Sequence, residues 1–591
     1  MDGARDLVST HWPALDVGTK RAQLETSLRL SPGPLDAAIA AATGAASRAA
    51  GGLMMRDPST WSGDPAVQRS IANRLGWLDA PLRMADSLDR LRGFADRVRA
   101  DGFTDVVLLG MGGSSLAPEV LRAVIGSAPG WPRLHVLDST NPAAVLALQA
   151  PPEGTLFVVA SKSGTTIEPD ALAAHFRRLV EAARGPGWSR HFVAITDEGT
   201  ELARRARADG FRDLFINPSD IGGRYSALSF FGLVPAALMG QDLPAIVGWA
   251  LAMLAAAESG FGEGTANPAA ALGLALGAAA HSGRDKLTLV IPEALAPFGL
   301  WIEQLVAEST GKQGRGIVPI AGERLAPAAA YGDDRFFVRI GLRGDDARPG
   351  EADLRDLEAA GMPCADIALP EPAALGAEFV RWEMATAVAG ALLHVNPFDE
   401  PNVQQAKEAT RALLARYGSE QRLPIGAPDL ALDDGTTFTL SAAARASLAG
   451  GKATSFLSLL GRGDYLGLLA YVGAGEGLSS ELRALRAVVR DRTRAATTYG
   501  DGPRYLHSTG QLHKGGANTG VFVLLTAAPH ADVPIPGRPF SFGTLELAQA
   551  LGDFASLDQT GRRALHIHLP SPEPALVRRV RGLLLDSLPG A

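Results

Sequence analysis

The segment from Ser161 to Thr166 places four hydroxyl groups, one lysine and one glycine in six consecutive residues. It follows the apolar run 156–160, which is typical of a buried strand, and precedes a helix predicted to begin near Ile167. Hydroxyl donors, a positive charge and the positive end of a helix dipole together favour binding of a phosphate monoester. An N-capping Ser/Thr turn, the alternative, explains one or two of the hydroxyls but not the whole row.

A second glycine-rich segment, "LLGMGGSSLAPEVL", also follows an apolar run. Gly110 and Gly112, with Asp138 at the end of the next apolar run, imitate a dinucleotide-binding fingerprint, although Ser115 stands at the third glycine position. Glycines let a ligand approach the backbone closely, but they also occur in ordinary tight turns. A nucleotide-binding loop and a tight turn therefore both stay open at this point.

Two further motifs supply a carboxylate and a cation. "WIEQLVAESTGK" places Gln304 and Glu308 one turn apart on one predicted helix face, and Gly311 indicates the end of that helix. A carboxylate near a helix C-terminus faces the negative end of the dipole, which raises its pKa toward the range useful for a base. "SDIGGRYSALS" places Arg224 after two glycines, and an always-ionised guanidinium can stabilise a negative charge without taking a proton. A surface glutamate and a structural ion pair are the alternatives.

Length, composition, net charge and cysteine count limit the class of protein. The 591 residues are 46% apolar and 20% charged, which indicates several packed domains and no disorder. A formal charge of −7 argues against a nucleic-acid partner. Cys364 is the single cysteine, which excludes an intramolecular disulfide and a Cys-rich metal site, and we interpret it as a small core residue. The start has no secretory signal, and no apolar run reaches the roughly 20 residues of a membrane span, so we expect a cytoplasmic protein with no membrane partner.

Short apolar runs that alternate with helix-period segments predict an α/β protein. Five such runs, from "DVVLLGMGG" to "DLFINPSD", predict a parallel sheet with helices on both faces. A second series begins at "KLTLVIPE", and a third begins at "YLGLLAYVG" after a bridge rich in Pro, Asp and Gly. We expect two parallel-sheet α/β/α sandwich domains and a smaller C-terminal α/β unit, with an N-terminal helical extension at 1–55, domains at 56–245 and 246–422, and the C-terminal unit at 437–591.

Five motifs together resemble the glucose-6-phosphate isomerase family, which has the sugar isomerase (SIS) fold. They are "GMGGSSLAP", "SKSGTTIEP", "GGRYSALSFFG", "EQLVAESTGKQGRG" and "NPFDEPNVQQAK". The resemblance implies that both sandwich domains are of the SIS type, that the substrate is a hexose phosphate, and that aldose and ketose phosphates interconvert through an enediolate. It assigns Glu308 as the base that shuttles the proton, Arg224 as the stabilising cation and Lys407 as a ring-opening residue. The residues that it assigns to substrate binding are Ser114, Ser161, Lys162, Ser163, Thr166, Glu168, Gly223 and Gln304.

The position of the histidine motif departs from the family's pattern. Family members carry this motif between the glutamate and lysine motifs, but no suitable histidine lies between Glu308 and Lys407, and "LHSTGQLHKGG" follows the lysine instead. We therefore predict His507 as the ring-opening histidine, with His513 as a weaker candidate and Glu168 as the partner that orients the imidazole. A loop-capping role is the alternative for His507. With "RDPSTW" and "LGWLD" upstream, this order resembles the isomerase half of transaldolase–isomerase fusions.

The resemblance implies a homodimer and a reaction that needs neither a metal nor another cofactor. Three rival functions are a non-catalytic sugar-phosphate sensor on the same fold, an NAD-dependent dehydrogenase that uses the 110–115 loop, and an isomerase that also accepts mannose 6-phosphate. The joint presence of Glu308, Arg224 and Lys407 argues against the sensor. Tolerance of the C2 epimer depends on the shape of the pocket, which the sequence does not reveal.

Overall fold

The structure is a computed structural model, and it describes residues 15–259, 267–343, 351–473 and 475–588. It contains three β-sheets, with helices packed against them. In each sheet most neighbouring strands are parallel. The predicted α/β class with parallel sheets is therefore confirmed.

The N-terminal segment contributes a strand as well as helices. Its elements are α1 (Val17–Glu25), β1 (Leu28–Ser31) and α2 (Asp36–Met54). β1 pairs antiparallel with a strand of the second sheet, so that Leu28 lies opposite Ile367. We predicted only helices for 1–55, because a four-residue strand is too short to show a readable alternation. The first 14 positions of that prediction lie outside the described residues.

The first sheet places the two loops of interest side by side. All its strands are parallel, in the order β3-β2-β4-β5-β6. The last residues of β2 and β4, Gly110 and Ala160, are register partners, so the loops that follow them begin next to each other. The strands are β2 (Asp105–Gly110), β3 (Arg133–Leu137), β4 (Thr155–Ala160), β5 (Phe192–Asp197) and β6 (Asp213–Asn217). The helices are α3 (Pro65–Ala72), α4 (Ala80–Ala85), α5 (Leu88–Ala100), α6 (Leu116–Val124), α7 (Pro142–Ala147), α8 (Ile167–Arg184), α9 (Glu201–Asp209) and α10 (Phe230–Leu238).

The helix that holds the candidate base, Glu308, in its last turn packs against the second sheet. The strand order of this sheet is β1-β10-β9-β7-β8. Two helices of this unit approach each other closely at a glycine, because a Cβ on Gly273 would lie 2.6 Å from the Ala385 carbonyl oxygen. Cys364 is buried in this sheet, and burial raises the pKa of its thiol to about 12, as befits a core residue. The strands are β7 (Lys286–Val290), β8 (Val318–Ile320), β9 (Arg335–Leu342) and β10 (Cys364–Leu369). The helices are α11 (Leu243–Ser259), α12 (Pro268–His281), α13 (Ala296–Thr310), α14 (Glu351–Ala359), α15 (Leu375–Leu392) and α16 (Pro401–Glu420).

The third sheet has its own core and includes the strand that "YLGLLAYVG" predicts. Its order is β11-β12-β16-β15-β13-β14, in which β12 runs antiparallel to β16. The strands are β11 (Leu430–Ala431), β12 (Thr437–Leu440), β13 (Tyr465–Tyr471), β14 (Ala496–Asp501), β15 (Gly520–Ala527) and β16 (Arg563–Leu569). The helices are α17 (Ala442–Leu448), α18 (Glu476–Thr493), α19 (Gly510–Gly515), α20 (Phe542–Gln559) and α21 (Pro574–Leu585).

The third unit packs against both of the others. Helix α20 packs along α16, and α19 packs against α13 through a shared apolar cluster that includes Ala307 and Leu512. These contacts carry the segment that precedes α19, Arg504–His507, to the carboxyl ends of the first sheet's strands. Among the described helices, none is long and apolar enough to cross a membrane.

Candidate active site

The glycine-rich loop after β2 is filled by other parts of the chain. Gly112 has φ +54°, and a Cβ there would lie 2.6 Å from the His507 carbonyl oxygen and 2.8 Å from Gln304 Nε2. A Cβ on Gly113 would lie 2.0 Å from the Gly223 carbonyl oxygen. These glycines therefore permit close contact between chain segments, not the approach of a nucleotide phosphate.

The acidic residue of the apparent dinucleotide fingerprint is also occupied. Asp138 accepts a hydrogen bond from Ser115 Oγ at 3.2 Å and pairs with Arg504 Nε at 2.9 Å. It is buried and so is not available for a ribose hydroxyl. Both observations argue against the dehydrogenase interpretation of the 110–115 loop.

The hydroxyl-rich loop after β4 is a tight turn that opens onto a cavity. Ser161 is buried and its Oγ donates to Thr166 Oγ1 at 3.1 Å, so Ser161 braces the loop from behind. Gly164 has φ +65°, and a Cβ there would lie 2.7 Å from Thr200 Cβ, so no other residue fits the bend. Ser163 and Thr166 line the cavity together with Thr165. Helix α8 begins at Ile167, where the sequence places it.

Lys162 does not face this cavity. Its ammonium forms an ion pair with Asp197 and donates to the Ser219 carbonyl oxygen at 3.0 Å. Asp197 ends β5, the strand next to β4, and burial raises the pKa of its carboxyl group. The positive charge expected to reach a phosphate therefore pairs with a partly buried carboxylate instead. Only the adjacency of the two strands, which the sequence does not encode locally, reveals this pairing.

The cavity has a volume of about 270 Å³ and lies where the first unit, helix α16 and the third unit meet. Helix α16 forms one wall with Lys407 and Arg411, which are four residues apart and therefore share a face. His507 and the buried Lys514 form another wall. The residues that line it are Ser163, Thr165, Thr166, Ile167, Glu168, Val403, Gln404, Ala406, Lys407, Thr410, Arg411, Leu506, His507, Lys514 and Gln549.

Two cationic side chains on α16 face the cavity without a fixed partner. Lys407 and Arg411 are exposed, and among the described residues no hydrogen bond or ion pair engages either one. Our sequence prediction included Lys407 but missed Arg411. The spacing of one helical turn from Lys407 was a readable signal for it.

His507 is held by a buried carboxylate. Its Nε2 lies 2.8 Å from Glu168 Oε1, the partner that the sequence assigns to it. Gln549 Nε2 donates to the same oxygen at 2.7 Å, and Thr140 Oγ1 in turn donates to Gln549 Oε1 at 2.8 Å. Burial alone would raise the pKa of Glu168, but the His507 ring lowers it, so the carboxylate stays ionised. Gln549 lies on a distant helix, and no sequence signal pointed to it.

His513, the weaker histidine candidate, lies away from this cavity. It is 2% exposed, and neither ring nitrogen has a hydrogen-bond partner among the described residues. Burial lowers the pKa of its imidazole well below the usual value, so the ring is neutral. His513 contributes to the wall of a second, smaller cavity of about 50 Å³.

Glu308 lies in the last turn of α13, where the sequence predicts it. Its Oε1 is 3.4 Å from Arg224 Nη1, and its Oε2 accepts from Gln304 Nε2 at 3.3 Å. Burial raises the pKa of Glu308, and the positive charge of Arg224 opposes this shift. Gln304 also donates to the His507 carbonyl oxygen at 2.7 Å, which links Glu308 to the histidine segment.

Arg224 is fixed by a full set of acceptors. Its Nε donates to Ser309 Oγ at 2.8 Å, and its Nη2 donates to the carbonyl oxygens of Pro397 and Asp399 at 2.7 and 2.8 Å. Burial alone would lower the pKa of its guanidinium, but the carboxylates of Glu308 and Glu400 raise it. The cation is thus permanently charged and cannot rotate freely.

Apart from His513, the sequence-predicted site residues fall into two groups. One group lines the cavity: Ser163, Thr166, Glu168, Lys407 and His507. The other group does not line the cavity, and its members are buried except for the half-buried Lys162 and Gly223: Ser114, Ser161, Lys162, Gly223, Arg224, Gln304 and Glu308. Gln304 joins the two groups, because its amide contacts both Glu308 and the backbone of His507.

Known proteins resemble this chain over much of its length. The phosphoglucose isomerase family matches residues 79–317. A glucose-6-phosphate isomerase of Rubrobacter xylanophilus is 32% identical over 427 residues, which cover 62% of this chain and 96% of the relative. A glucose-6-phosphate isomerase of Thermus thermophilus is 32% identical over 407 residues, which cover 60% and 94%. Among solved structures, a hypothetical protein of Thermus thermophilus is similar with a TM-score of 0.54 and 28% identity, over 66% of this chain and 100% of that one. The chain belongs to the phosphoglucose isomerase family.

Proposed function

We infer that the protein interconverts glucose 6-phosphate and fructose 6-phosphate. One observation above all supports this activity: a buried glutamate paired with an arginine is joined through Gln304 to a carboxylate-held histidine at the edge of a hydroxyl-lined cavity. The names of the curated relatives agree with it. The reaction is internally balanced, because one carbon loses the proton that its neighbour gains and a hydroxyl and a carbonyl exchange places.

The hydroxyl-rich loop binds the substrate's phosphate in this proposal. Ser163, Thr165 and Thr166 donate hydrogen bonds, and the N-terminus of α8 contributes its unpaired amides. Arg411 on the opposite wall supplies the positive charge that Lys162 does not. Binding at this remote group holds the sugar so that its first two carbons reach the base.

Ring opening is assigned to His507 and Lys407. Glu168 holds His507 Nε2, and we assign proton exchange with the sugar to Nδ1. Lys407 lies on the facing wall, one helical turn from Arg411, and carries the second group needed at the ring. Ring opening is therefore placed between the half-buried His507 and the exposed Lys407.

Proton transfer is assigned to Glu308. Its carboxylate takes a proton from C2 of the aldose and returns it to C1, with the reverse order for the ketose. Arg224 stabilises the negative charge that develops on the enediolate oxygens, and its fixed hydrogen bonds mean that it needs no reorganisation. The contacts of Glu308 favour the enzyme over a non-catalytic sensor, because they place this buried carboxylate beside a fixed arginine and join it through Gln304 to the histidine segment.

A coupled assay tests the proposed activity. Fructose 6-phosphate is supplied, and the glucose 6-phosphate formed is oxidised by a dehydrogenase that reduces NADP. We expect steady NADPH production with the intact protein and none without it. Absence of turnover with binding of fructose 6-phosphate retained would favour the sensor, and mannose 6-phosphate in the same assay tests the dual activity.

The homodimer that the resemblance implies is a separate proposal. Light scattering on the intact protein after size-exclusion chromatography would distinguish a mass of twice 61.5 kDa from that of a single chain.

A further inference from the structure

One nitrogen of Arg224 is shared by two carboxylates. Nη1 lies 3.1 Å from Glu400 Oε2 and 3.4 Å from Glu308 Oε1. Two anions on one guanidinium nitrogen compete for it, since a stronger contact to one weakens the contact to the other. Glu400 belongs to the "NPFDEPNVQQAK" motif, but no role was predicted for it from the sequence.

The two carboxylates occupy opposite ends of helix dipoles. Glu308 lies in the last turn of α13, where the dipole disfavours a negative charge. Glu400 directly precedes α16, where the positive end of the dipole favours one. The two groups are also unequally exposed, because 45% of the Glu400 side chain is accessible and 11% of the Glu308 side chain. Their environments therefore separate a permanent anion from a group that exchanges protons.

The directions in which the two pKa values shift agree with this division. Burial raises the pKa of Glu308, and the negative charge of Glu400 raises it further. Burial alone would raise the pKa of Glu400, but Arg224 lowers it. Three cationic groups lower the pKa of Glu308, namely Arg224, Lys312 and His507 when protonated.

We propose that Glu400 is a positioning residue that draws Arg224 away from Glu308, so that the arginine steadies the substrate's developing charge without neutralising the base. This inference rests on the proposed isomerase activity and adds a residue to it. Without the Glu400 carboxylate, the guanidinium nitrogen would be free to close on Glu308. A carboxylate in a tight ion pair with arginine holds a proton less readily and is a weaker base.

Lys312 does not duplicate this function. Its ammonium is buried and bound to Asp399 Oδ1 at 2.7 Å and to the Asn396 carbonyl oxygen at 2.5 Å, so it fixes the backbone before Glu400. Burial lowers the pKa of Lys312 to about 8, so its titration falls on the alkaline side of neutrality. Effects of Glu400 are therefore sought on the acid side of the pH profile.

The test compares pH profiles of kcat/KM for fructose 6-phosphate in the wild type and in Glu400→Gln. Because the variant removes a negative charge near Glu308, we expect the acid-side limb to move to lower pH and the plateau rate to fall severalfold. Glu400→Asp keeps the charge and should keep the limb close to its wild-type position. Glu420→Gln, which removes an exposed carboxylate paired with Arg416 at the other end of α16, should leave both limb and plateau unchanged.

Two results would overturn the inference, and neither is confused with failure of the proposed function. An acid limb that stays in place in Glu400→Gln, with the rate lowered equally at all pH values, indicates a role in shape alone. A limb that moves equally in Glu400→Asp shows that the charge is not the cause. An inactive wild type would instead contradict the isomerase proposal, and unchanged thermal melting of the variants excludes a folding defect.

Discussion

The two ends of the proposed active site are built in opposite ways. Apart from Arg411, the phosphate end comes from one continuous segment, 161–168, which presents neutral hydroxyls to an open cavity. The proton-transfer end joins Arg224, Glu308 and Glu400, which are far apart in sequence and meet only in the folded chain. A binding loop can thus be formed by neighbours in sequence, whereas the cluster of charged side chains forms only when the sheets and helices assemble.

Physical chemistry explains this difference. A hydroxyl at a cavity wall keeps water as a partner until the ligand arrives, so it costs little to leave unpaired. A buried ion costs several kcal/mol of desolvation free energy, roughly, unless other charges and carbonyls surround it. Arg224 meets that requirement with two carboxylates and two carbonyl oxygens. The proton-transfer end is therefore the more sensitive of the two to substitution.

The largest effect is expected at that end, from Glu308→Gln. The amide keeps the size of the side chain but cannot accept the proton, so kcat should fall by about 10²–10⁴-fold with little change in KM. Steady-state kinetics measures both, and thermal melting checks the fold. A variant with near wild-type kcat would contradict the assignment of proton transfer to the buried cluster, whose role would then be structural.

Replacement of His507 by alanine should come next. The expected loss is about 10²-fold on cyclic fructose 6-phosphate, because a general acid–base group at the ring is removed. A fructose 6-phosphate analogue that lacks the C5 hydroxyl cannot close the furanose ring, and its isomerisation should be largely retained. Equal losses on both substrates would show that His507 acts at the proton-transfer end instead of in ring opening.

At the phosphate end, Arg411→Ala should raise KM by about tenfold and leave kcat nearly unchanged, because a charged hydrogen bond to a remote group is lost. Inhibition by inorganic phosphate should weaken in parallel. Arg416→Ala is the matched control, since Arg416 lies on the same helix and pairs with Glu420 at 2.7 Å. If Lys162→Met raises KM more than Arg411→Ala does, the lysine serves the phosphate despite its contact with Asp197.

The smallest effect concerns a buried carboxylate that no ion pair joins to a cation among the described residues. Glu303 lies on α13 with Glu308, and burial raises its pKa from 4.5 to about 7. Between these two pH values the unfolded chain loses a proton that the folded chain keeps, so folding stability falls as the pH rises. Glu303→Gln has no proton to lose, so its free energy of unfolding should rise relative to that of the wild type by on the order of 1–3 kcal/mol across that pH window.

The exposed Glu293→Gln is the control for this measurement. Its melting temperature relative to wild type should not vary with pH, and Glu303→Gln should leave activity almost unchanged. A relative stability of Glu303→Gln that is constant from pH 4 to pH 8 would contradict the assigned environment.

Local signals predicted the parts of the structure that depend on neighbours in sequence. The helix that begins at Ile167 and the one that ends before Gly311 lie where hydroxyls and a glycine indicate. The partner of Lys162 was not predictable, because Asp197 reaches it only through the order of the strands. The contact of Gln549 and the strand β1 were not predicted for the same reason, since each is positioned by a segment remote in sequence.

Hydrogen exchange at the substrate tests the central assignment most directly. Fructose 6-phosphate is incubated in D₂O with wild type and with Glu308→Gln, and NMR follows deuterium at C1 of the ketose and C2 of the aldose. We predict rapid incorporation with the wild type and almost none with the variant, although the variant still binds the sugar. Incorporation at the wild-type rate in Glu308→Gln would show that another group moves the proton.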